Sequence, residues 1–365
     1  MQYLFGLGHQ PHISTAELEA VFSISPKLVN NNYGLMNLKA EIDSEKLIQQ
    51  LGGVIKIARV IKSTGDTVKT IVNFLNKNKQ GKIHFSIKNK KLGLAIKKQL
   101  RNQGHSVRYI EPKNTATILH NNLIAKESDF TIVNNQVFIT TAIQPFEDMT
   151  QRDYERPGSD NVAGMLPPKL AKIMINLSQK DFSKVLLDPF CGSGTVLMEA
   201  AVMGYKKLLG NDLSAKAVED TNKNLKWLID QYQLTNIKFE LFQTDAIKLH
   251  SQLQPNSVDF IVTEPYLGKP LKGRESREQL NKQTKELADL YIHSFQTFSK
   301  LLKPTGIIIF IIPKFKYQDD WIEIDCVEKI KKIGFACLPF AKNKSLLYHR
   351  PKQHLGRTIW RFKKF

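Results

Sequence analysis

Cysteine is scarce in this chain. There are 3 in 365 residues, Cys191, Cys326 and Cys337, with no C-x-x-C pair among them. That spacing argues against a zinc ribbon or a disulfide framework and fits a reducing, cytoplasmic setting. Long apolar runs are also missing. The longest, GIIIFIIP at Gly306 to Pro313, is far short of the roughly 20 residues that span a bilayer, so no membrane partner is expected. The opening MQYLFGLGHQ has neither a basic n-region nor a cleavage pattern, so no signal peptide is expected. The 9 histidines make no H-E-x-x-H or similar spacing, and no metal is expected. Internal repeats and low-complexity tracts are absent as well.

Acidic residues are missing from two long stretches. Thr67 to Ile110 carries 11 Lys/Arg and no acid, and Lys329 to Phe365 carries another 11 and no acid. The whole chain has 53 basic against 34 acidic residues, a net charge of +19. A basic surface can be merely solvated. Single-sign runs are instead the footprint expected for a polyanion, and nucleic acid is the first candidate. In the first run, Lys88, Lys90, Lys91, Lys97, Lys98, Arg101 and Arg108 flank a strand–helix–strand pattern suited to lie along a phosphate backbone. Structured RNA would be read there by shape and phosphate, because A-form helices hide their base edges.

The length predicts two or three domains. The first part reads as a small α+β unit. YLFGLG is a strand, and Ser14 with Glu17 has capping-box spacing for the next helix. GLMNLKA alternates like a strand, and Ser44 to Leu51 is a short helix ended by two glycines. IHFSI, SVRYI and QVFITTAI are further strands, with a helix from Leu92 to Gln103 closed by Gly104. From about Gln151 the texture changes. A Pro/Gly-rich segment, RDYERPGSDNVAGMLPP, leads into a helix, and strands and helices then alternate as far as GIIIFIIP. That βαβ series predicts a parallel sheet covered on both faces.

VLLDPFCGSGTVLMEA, Val185 to Ala200, is the strongest local signal. A buried strand stops at Asp188, a glycine loop follows, and a helix opens with Thr195 as its expected N-cap. Ligands of open α/β sheets bind at this place, beyond the carboxyl ends of the strands. Gly192 and Gly194 allow close backbone approach, and Gly194 is expected to take positive φ. No lysine follows the loop, so it is not a P-loop, and Leu197 stands where a dinucleotide fingerprint needs its third glycine. Asp188 repels phosphate but suits an amine, so a cationic amino acid carrying a nucleoside fits better. Asp212 ends the next strand, where a carboxylate can accept both ribose hydroxyls. Asp245 follows the third strand and can accept from an adenine amino group. Each acid alone reads as a cap, but three at successive strand ends beside a glycine loop read as a site.

DPFCGSGT, GNDLS, QTDA and the VTEPY that follows the fourth strand resemble the S-adenosylmethionine-dependent amino-methyltransferases. RDYERPGSD with GMLPPKLAKIMINLS, and YLFGLGHQPHISTAELEAVF with GGVIKIARV, resemble more narrowly the THUMP-domain tRNA guanine-N2-methyltransferases, which modify guanosine 10. The resemblance covers nearly the whole chain. It implies an α/β fold: a Rossmann-like methyltransferase domain over 151–365, preceded by a ferredoxin-like region over 1–53 and a THUMP domain over 54–150. It also implies S-adenosylmethionine as cofactor, held by Asp188, Pro189, Phe190, Gly192, Gly194, Thr195, Asp212, Leu213, Asp245 and Ala246, and tRNA as partner. Some relatives in this group work with a small activating subunit and others alone.

The family's fourth strand ends in Asp or Asn, then Pro-Pro-Tyr or Pro-Pro-Phe, and here one proline is missing. The match is Thr263-Glu264-Pro265-Tyr266, with the shortened Glu264-Pro265-Tyr266 preferred. In that reading Glu264 accepts from the exocyclic amine, Pro265 offers its carbonyl, and Tyr266 stacks on a flipped base. Guanine presents two adjacent donors, N1–H and the 2-amino group, which a carboxylate can accept. Adenine presents a donor beside an acceptor, so Glu264 favours guanine. Two alternatives remain at this point: a DNA amino-methyltransferase acting on adenine or cytosine, and a tRNA-binding protein whose methyltransferase domain is silent. Arg152, Asp153 and Arg156 read equally well as cofactor or RNA contacts and as a linker ion pair.

Overall fold

The computed structural model describes residues 1–63, 65–77, 81–158, 165–178, 181–341, 343–351 and 353–365. Part of the Pro/Gly-rich segment, 159–164, therefore lies outside the described residues. Two compact units are present, Met1–Pro11 with Ile24–Pro145, and His12–Ser23 with Phe146–Phe365.

Strand β1 (Gln2–Leu7) leads into helix α1 (Pro11–Phe22), which counts with the second unit from His12 onward. The helix begins at Pro11, three residues before the expected cap. A proline fits there because its fixed φ and missing N–H suit a first turn. Ser14 and Glu17 are consequently buried inside the helix, where Glu17 accepts from Asn176 Nδ2 at 2.7 Å.

The rest of the first unit is β2 (Lys27–Val29), β3 (Tyr33–Asn37), α2 (Ser44–Gln50), β4 (Val54–Val60), α3 (Thr67–Lys77), β5 (Ile83–Ile87), α4 (Lys90–Asn102), β6 (Val107–Ile110), α5 (Thr115–His120), β7 (Asp129–Val133) and β8 (Gln136–Ile143). Its strands form one 8-stranded sheet, ordered β2-β3-β1-β4-β8-β7-β5-β6. The boundary expected after Gly53 falls just before β4, which lies inside this sheet between β1 and β8. Helix α4 is capped by Asn89, whose side chain accepts from the Leu92 N–H at 3.1 Å. Gly93, Ile96 and Leu100 face inward. A Cβ at Gly93 would lie 2.4 Å from the Tyr109 ring, so only glycine lets the helix sit this close to β6.

In the second unit, α6 (Phe146–Tyr154) and α7 (Pro168–Leu177) precede β9 (Val185–Asp188), α8 (Thr195–Met203), β10 (Lys207–Asp212), α9 (Ala215–Gln231), β11 (Lys238–Gln243), β12 (Val258–Thr263), α10 (Arg277–Leu301), β13 (Leu302–Tyr317), β14 (Asp320–Ile322), α11 (Val327–Lys332), β15 (Phe335–Cys337), β16 (Leu346–Tyr348) and β17 (Leu355–Lys364). The boundary expected after Thr150 falls inside α6. The main path of the sheet is β11-β10-β9-β12-β13-β17-β15. Strands β9 to β13 pair in parallel, as the βαβ pattern predicts. The predicted series ends at β13, and the sheet continues beyond it with antiparallel pairing. There β17 runs antiparallel to β13 and to β15, after a connection from β13 that passes through β14, α11, β15 and β16.

Alternation along the strands builds two cores. Leu186, Phe260, Val262, Ile307 and Ile309 pack on one face with α1, α7, α8 and α9. Leu187, Ile261, Ile308 and Phe310 pack on the other with α10 and α11. Strands β9 and β12 are neighbours, while the chain leaves them in opposite directions across the sheet. Their carboxyl ends therefore open a crevice at the switch point. Among the described residues, no helix is long and apolar enough to cross a membrane.

Candidate active site

The glycine loop turns sharply after β9. Gly192 and Gly194 take φ of +53° and +85°, and Gly194, not Thr195, is the residue that caps α8. A Cβ at Gly194 would sit 2.9 Å from the Thr221 methyl, whereas one at Gly192 would meet no atom within 4 Å. Gly194 thus packs against α9, and Gly192 faces open space. Helix α9 braces the loop from below. Thr221 donates to the Gly192 carbonyl at 2.7 Å and Asn224 to the Ser193 carbonyl at 2.8 Å.

The three predicted acids end successive strands around one cavity of about 920 Å³. Asp212 accepts the N–H groups of Gly192 and Ser214, both at 2.9 Å, one on each oxygen. That fixes the carboxylate while leaving each oxygen a further lone pair. Asp245 caps the next turn by accepting from the Ile247 N–H at 3.1 Å. Asn211, which the sequence reading passed over, joins the three strand ends. Its Nδ2 donates to the carbonyls of Pro189 and Thr244, both at 3.1 Å, and its Oδ1 accepts the Thr244 N–H at 3.2 Å.

Asp188 is buried, and burial pushes its pKa up to about 7 against the pull of hydrogen bonds from Thr263 and the Phe190 N–H. The Thr263 hydroxyl donates to Asp188 Oδ1 at 2.6 Å. Thr263 is fully buried, so it ties the fourth strand to the first and does not face the cavity. Glu264, Pro265 and Tyr266 do line it, with Asp188, Pro189, Phe190, Gly192, Thr195, Asp212, Leu213, Asp245 and Ala246. Gly194 and Thr263 are the two predicted residues that stand behind the wall.

Glu264 has a partner that motif reading did not find. Arg357 of β17 donates from Nε to its Oε1 at 2.6 Å, with the two side chains 11% and 12% exposed. Burial raises the Glu264 pKa above its ordinary value, and the guanidinium draws it back down. Oε2 has no protein partner among the described residues. Tyr266 is 55% exposed, and its carbonyl accepts from the buried Tyr291 hydroxyl at 2.7 Å. Tyr291, buried in the core, therefore also anchors the motif.

The RDYER segment resolves differently for its two arginines. Arg152 forms a buried bidentate pair with Glu199 at 2.6 and 3.1 Å, and Lys172 lies 3.7 Å from the same carboxylate. That is an internal ion cluster. Arg156 donates to the Thr195 hydroxyl at 2.7 Å and so reaches the helix start beside the cavity. Burial raises the Cys191 thiol well above its usual pKa, which leaves it no nucleophilic role. In the first unit, Lys88, Lys90, Lys91, Lys98, Arg101 and Arg108 are exposed and Lys97 is half-buried.

The cavity suits a ligand with a charged amino-acid end and a nucleoside end. Asp188 lies at one strand end, hydroxyl acceptors at the next, and Leu213, 70% exposed, offers an apolar surface. Sheet order and cleft together define the second unit as a Rossmann-like α/β domain. A family model described as "RMKL-like, methyltransferase domain" matches residues 156–333, and a DNA methylase model matches 34–223. The tRNA (guanine(10)-N2)-dimethyltransferase of Methanothermobacter thermautotrophicus is 36% identical over 140 residues, 38% of each chain. The probable enzyme of the same name from Methanothermococcus thermolithotrophicus is 33% identical over 145 residues, 39% of this chain and 78% of that one. TrmN of Thermus thermophilus shares the fold at a TM-score of 0.53 and 15% identity, with all of both chains covered. The chain belongs to the tRNA guanine-N2-methyltransferase family. It spans less than half the length of the first curated relatives it matches, 38% and 48%.

Proposed function

We propose that the protein is a cytoplasmic, S-adenosylmethionine-dependent tRNA methyltransferase that acts on the exocyclic N2 of a guanosine, with guanosine 10 as its position. The observation that carries this is the Glu264 carboxylate at the cofactor cleft, paired with Arg357 on one oxygen and open on the other. A carboxylate there accepts from guanine's adjacent N1–H and N2–H donors and repels the N1 lone pair of adenine.

The bound cofactor supplies an electrophilic methyl on a sulfonium. The chain's own residues do the rest. Asp212 and Asp245 hold the nucleoside end, and the loop 188–194 holds the amino-acid end. Glu264 and the Pro265 carbonyl accept from the amine hydrogens, which frees a nitrogen lone pair otherwise delocalised into the ring. Tyr266 stacks on the flipped base and fixes its plane. Positioning of the amine by these residues would supply much of the acceleration, and Glu264 would take up the proton that the amine loses. The first unit serves as a ferredoxin-like plus THUMP module that docks tRNA. Its exposed cations on and around α4 support that role.

The DNA methylase match over 34–223 favours a second reading, amino methylation of DNA. Labelled methyl transfer to tRNA and to duplex DNA separates the two. Label in tRNA guanine is the expected result, and label in DNA adenine or cytosine overturns it.

A further inference from the structure

We propose that the loop from Gly268 to Arg274, with the start of α10, is a second RNA-binding site that grips the backbone phosphates beside the target nucleotide. The proposal rests on the functional reading above. The loop leaves the base pocket two residues after Tyr266 and lines a second cavity of about 470 Å³. Pro270 belongs to the walls of both cavities, so a strand whose base enters one lays its backbone over the other.

Lys269, Lys272, Arg274 and Lys282 line this second cavity. None of the four forms an ion pair among the described residues. Two acids, Glu275 and Glu286, share the wall. Glu275 is already spent on the loop itself. It accepts the N–H groups of Lys272 at 2.6 Å and Gly273 at 2.9 Å, and these bonds hold its carboxyl below the usual range.

The loop is built, not merely exposed. Gln283 Oε1 accepts the Lys269 N–H at 3.0 Å, and a Cβ at Gly268, where φ is +94°, would lie 2.7 Å from Gln283 Nε2. That Nε2 is buried against the loop. At Gly273, where φ is +77°, a Cβ would lie 2.4 Å from His354 Nε2, so the turn before β17 pins the loop from the other side. A cavity lined by four cations without ion-pair partners among the described residues takes an anion with several acceptor oxygens. Its continuity with the base pocket makes that anion the RNA phosphate chain. Extruding a base rotates its sugar and phosphates, and cations placed here hold the extruded form.

The test uses the full chain, the triple variant K269A/K272A/R274A and the single charge reversal K272E, with unmodified tRNA titrated across a salt series. The triple variant is expected to bind about tenfold more weakly at physiological salt, with a salt slope shallower by about two to three. K272E shifts affinity in the same direction, and the methylation defect appears mainly in KM. Cofactor affinity, read by calorimetry, stays at the wild-type value and reports an intact fold. Wild-type tRNA affinity and slope in both variants would overturn the proposal. Weakened binding in a protein that methylates no RNA would instead overturn the functional reading and leave the clamp standing.

Discussion

Arg357 Nε lies 2.6 Å from Glu264 Oε1, so strand β17 holds in place a carboxylate that lines the cleft. Glu264→Gln keeps the shape but loses the charge, and turnover is predicted to fall about 100-fold or more, with tRNA affinity nearly unchanged. Single-turnover kinetics with saturating tRNA checks this. Turnover near the wild-type rate would remove Glu264 from the chemistry.

Arg357→Met leaves a largely buried carboxylate without its counter-charge. Breaking such a pair costs about 2–3 kcal/mol once its partial solvent contact is allowed for. The working form of Glu264 is the anion, so activity is present above its pKa and lost as pH falls through it. Burial raises that pKa and Arg357 opposes the rise. Removing Arg357 therefore moves the acidic limb of the rate profile to higher pH, and Arg357→Lys restores part of the shift. A pH–rate profile that stays in place would show that Arg357 supports the fold alone.

Burial pushes the Asp188 carboxyl up to about 7 in the folded protein, from an ordinary 3.8. Between those values the folded apoprotein holds a proton that the unfolded chain has released, so stability falls as pH rises through that window. Asp188→Asn removes the slope. Melting of the apoprotein between pH 4 and pH 8 should show the variant gaining on the wild type as pH rises. Cofactor binding favours the anion beside an ammonium group, so wild-type affinity should climb through about pH 7 with proton release. Parallel melting curves for the two proteins would contradict this assignment.

Much of this was legible because it is local. The glycine loop, the acids at three strand ends and the parallel strands depend on residues close in sequence, where spacing speaks directly. The departures have physical causes. Pro11 starts α1 because proline suits a first helical turn, which leaves Ser14 buried inside. Gly194 replaces Thr195 as the cap because the cap takes φ of +85°, and glycine bears that without strain. Arg357 was seen only as one charge in an acid-free run. Its partner lies 93 residues away, joined through an antiparallel return that no apolar run announces. Thr263 looked like part of the motif, but strand alternation turns it into the wall.

Gly194→Ala tests the loop without touching its chemistry. The added methyl meets Thr221 at 2.9 Å, and the backbone stays at positive φ. A loss of about 1–3 kcal/mol in stability is expected, with weaker cofactor binding as the loop shifts. Chemical denaturation with and without cofactor measures both. Unchanged stability would mean that the loop relaxes freely, and its geometry would then explain little.

Mass-spectrometric mapping of nucleosides in tRNA treated with the purified chain and S-adenosylmethionine tests the central claim most directly. The account predicts N2-methylated guanosine at position 10 and no methylated adenosine. Methyl groups on adenine, or tRNA left unmodified by a protein that binds both cofactor and tRNA, would contradict it.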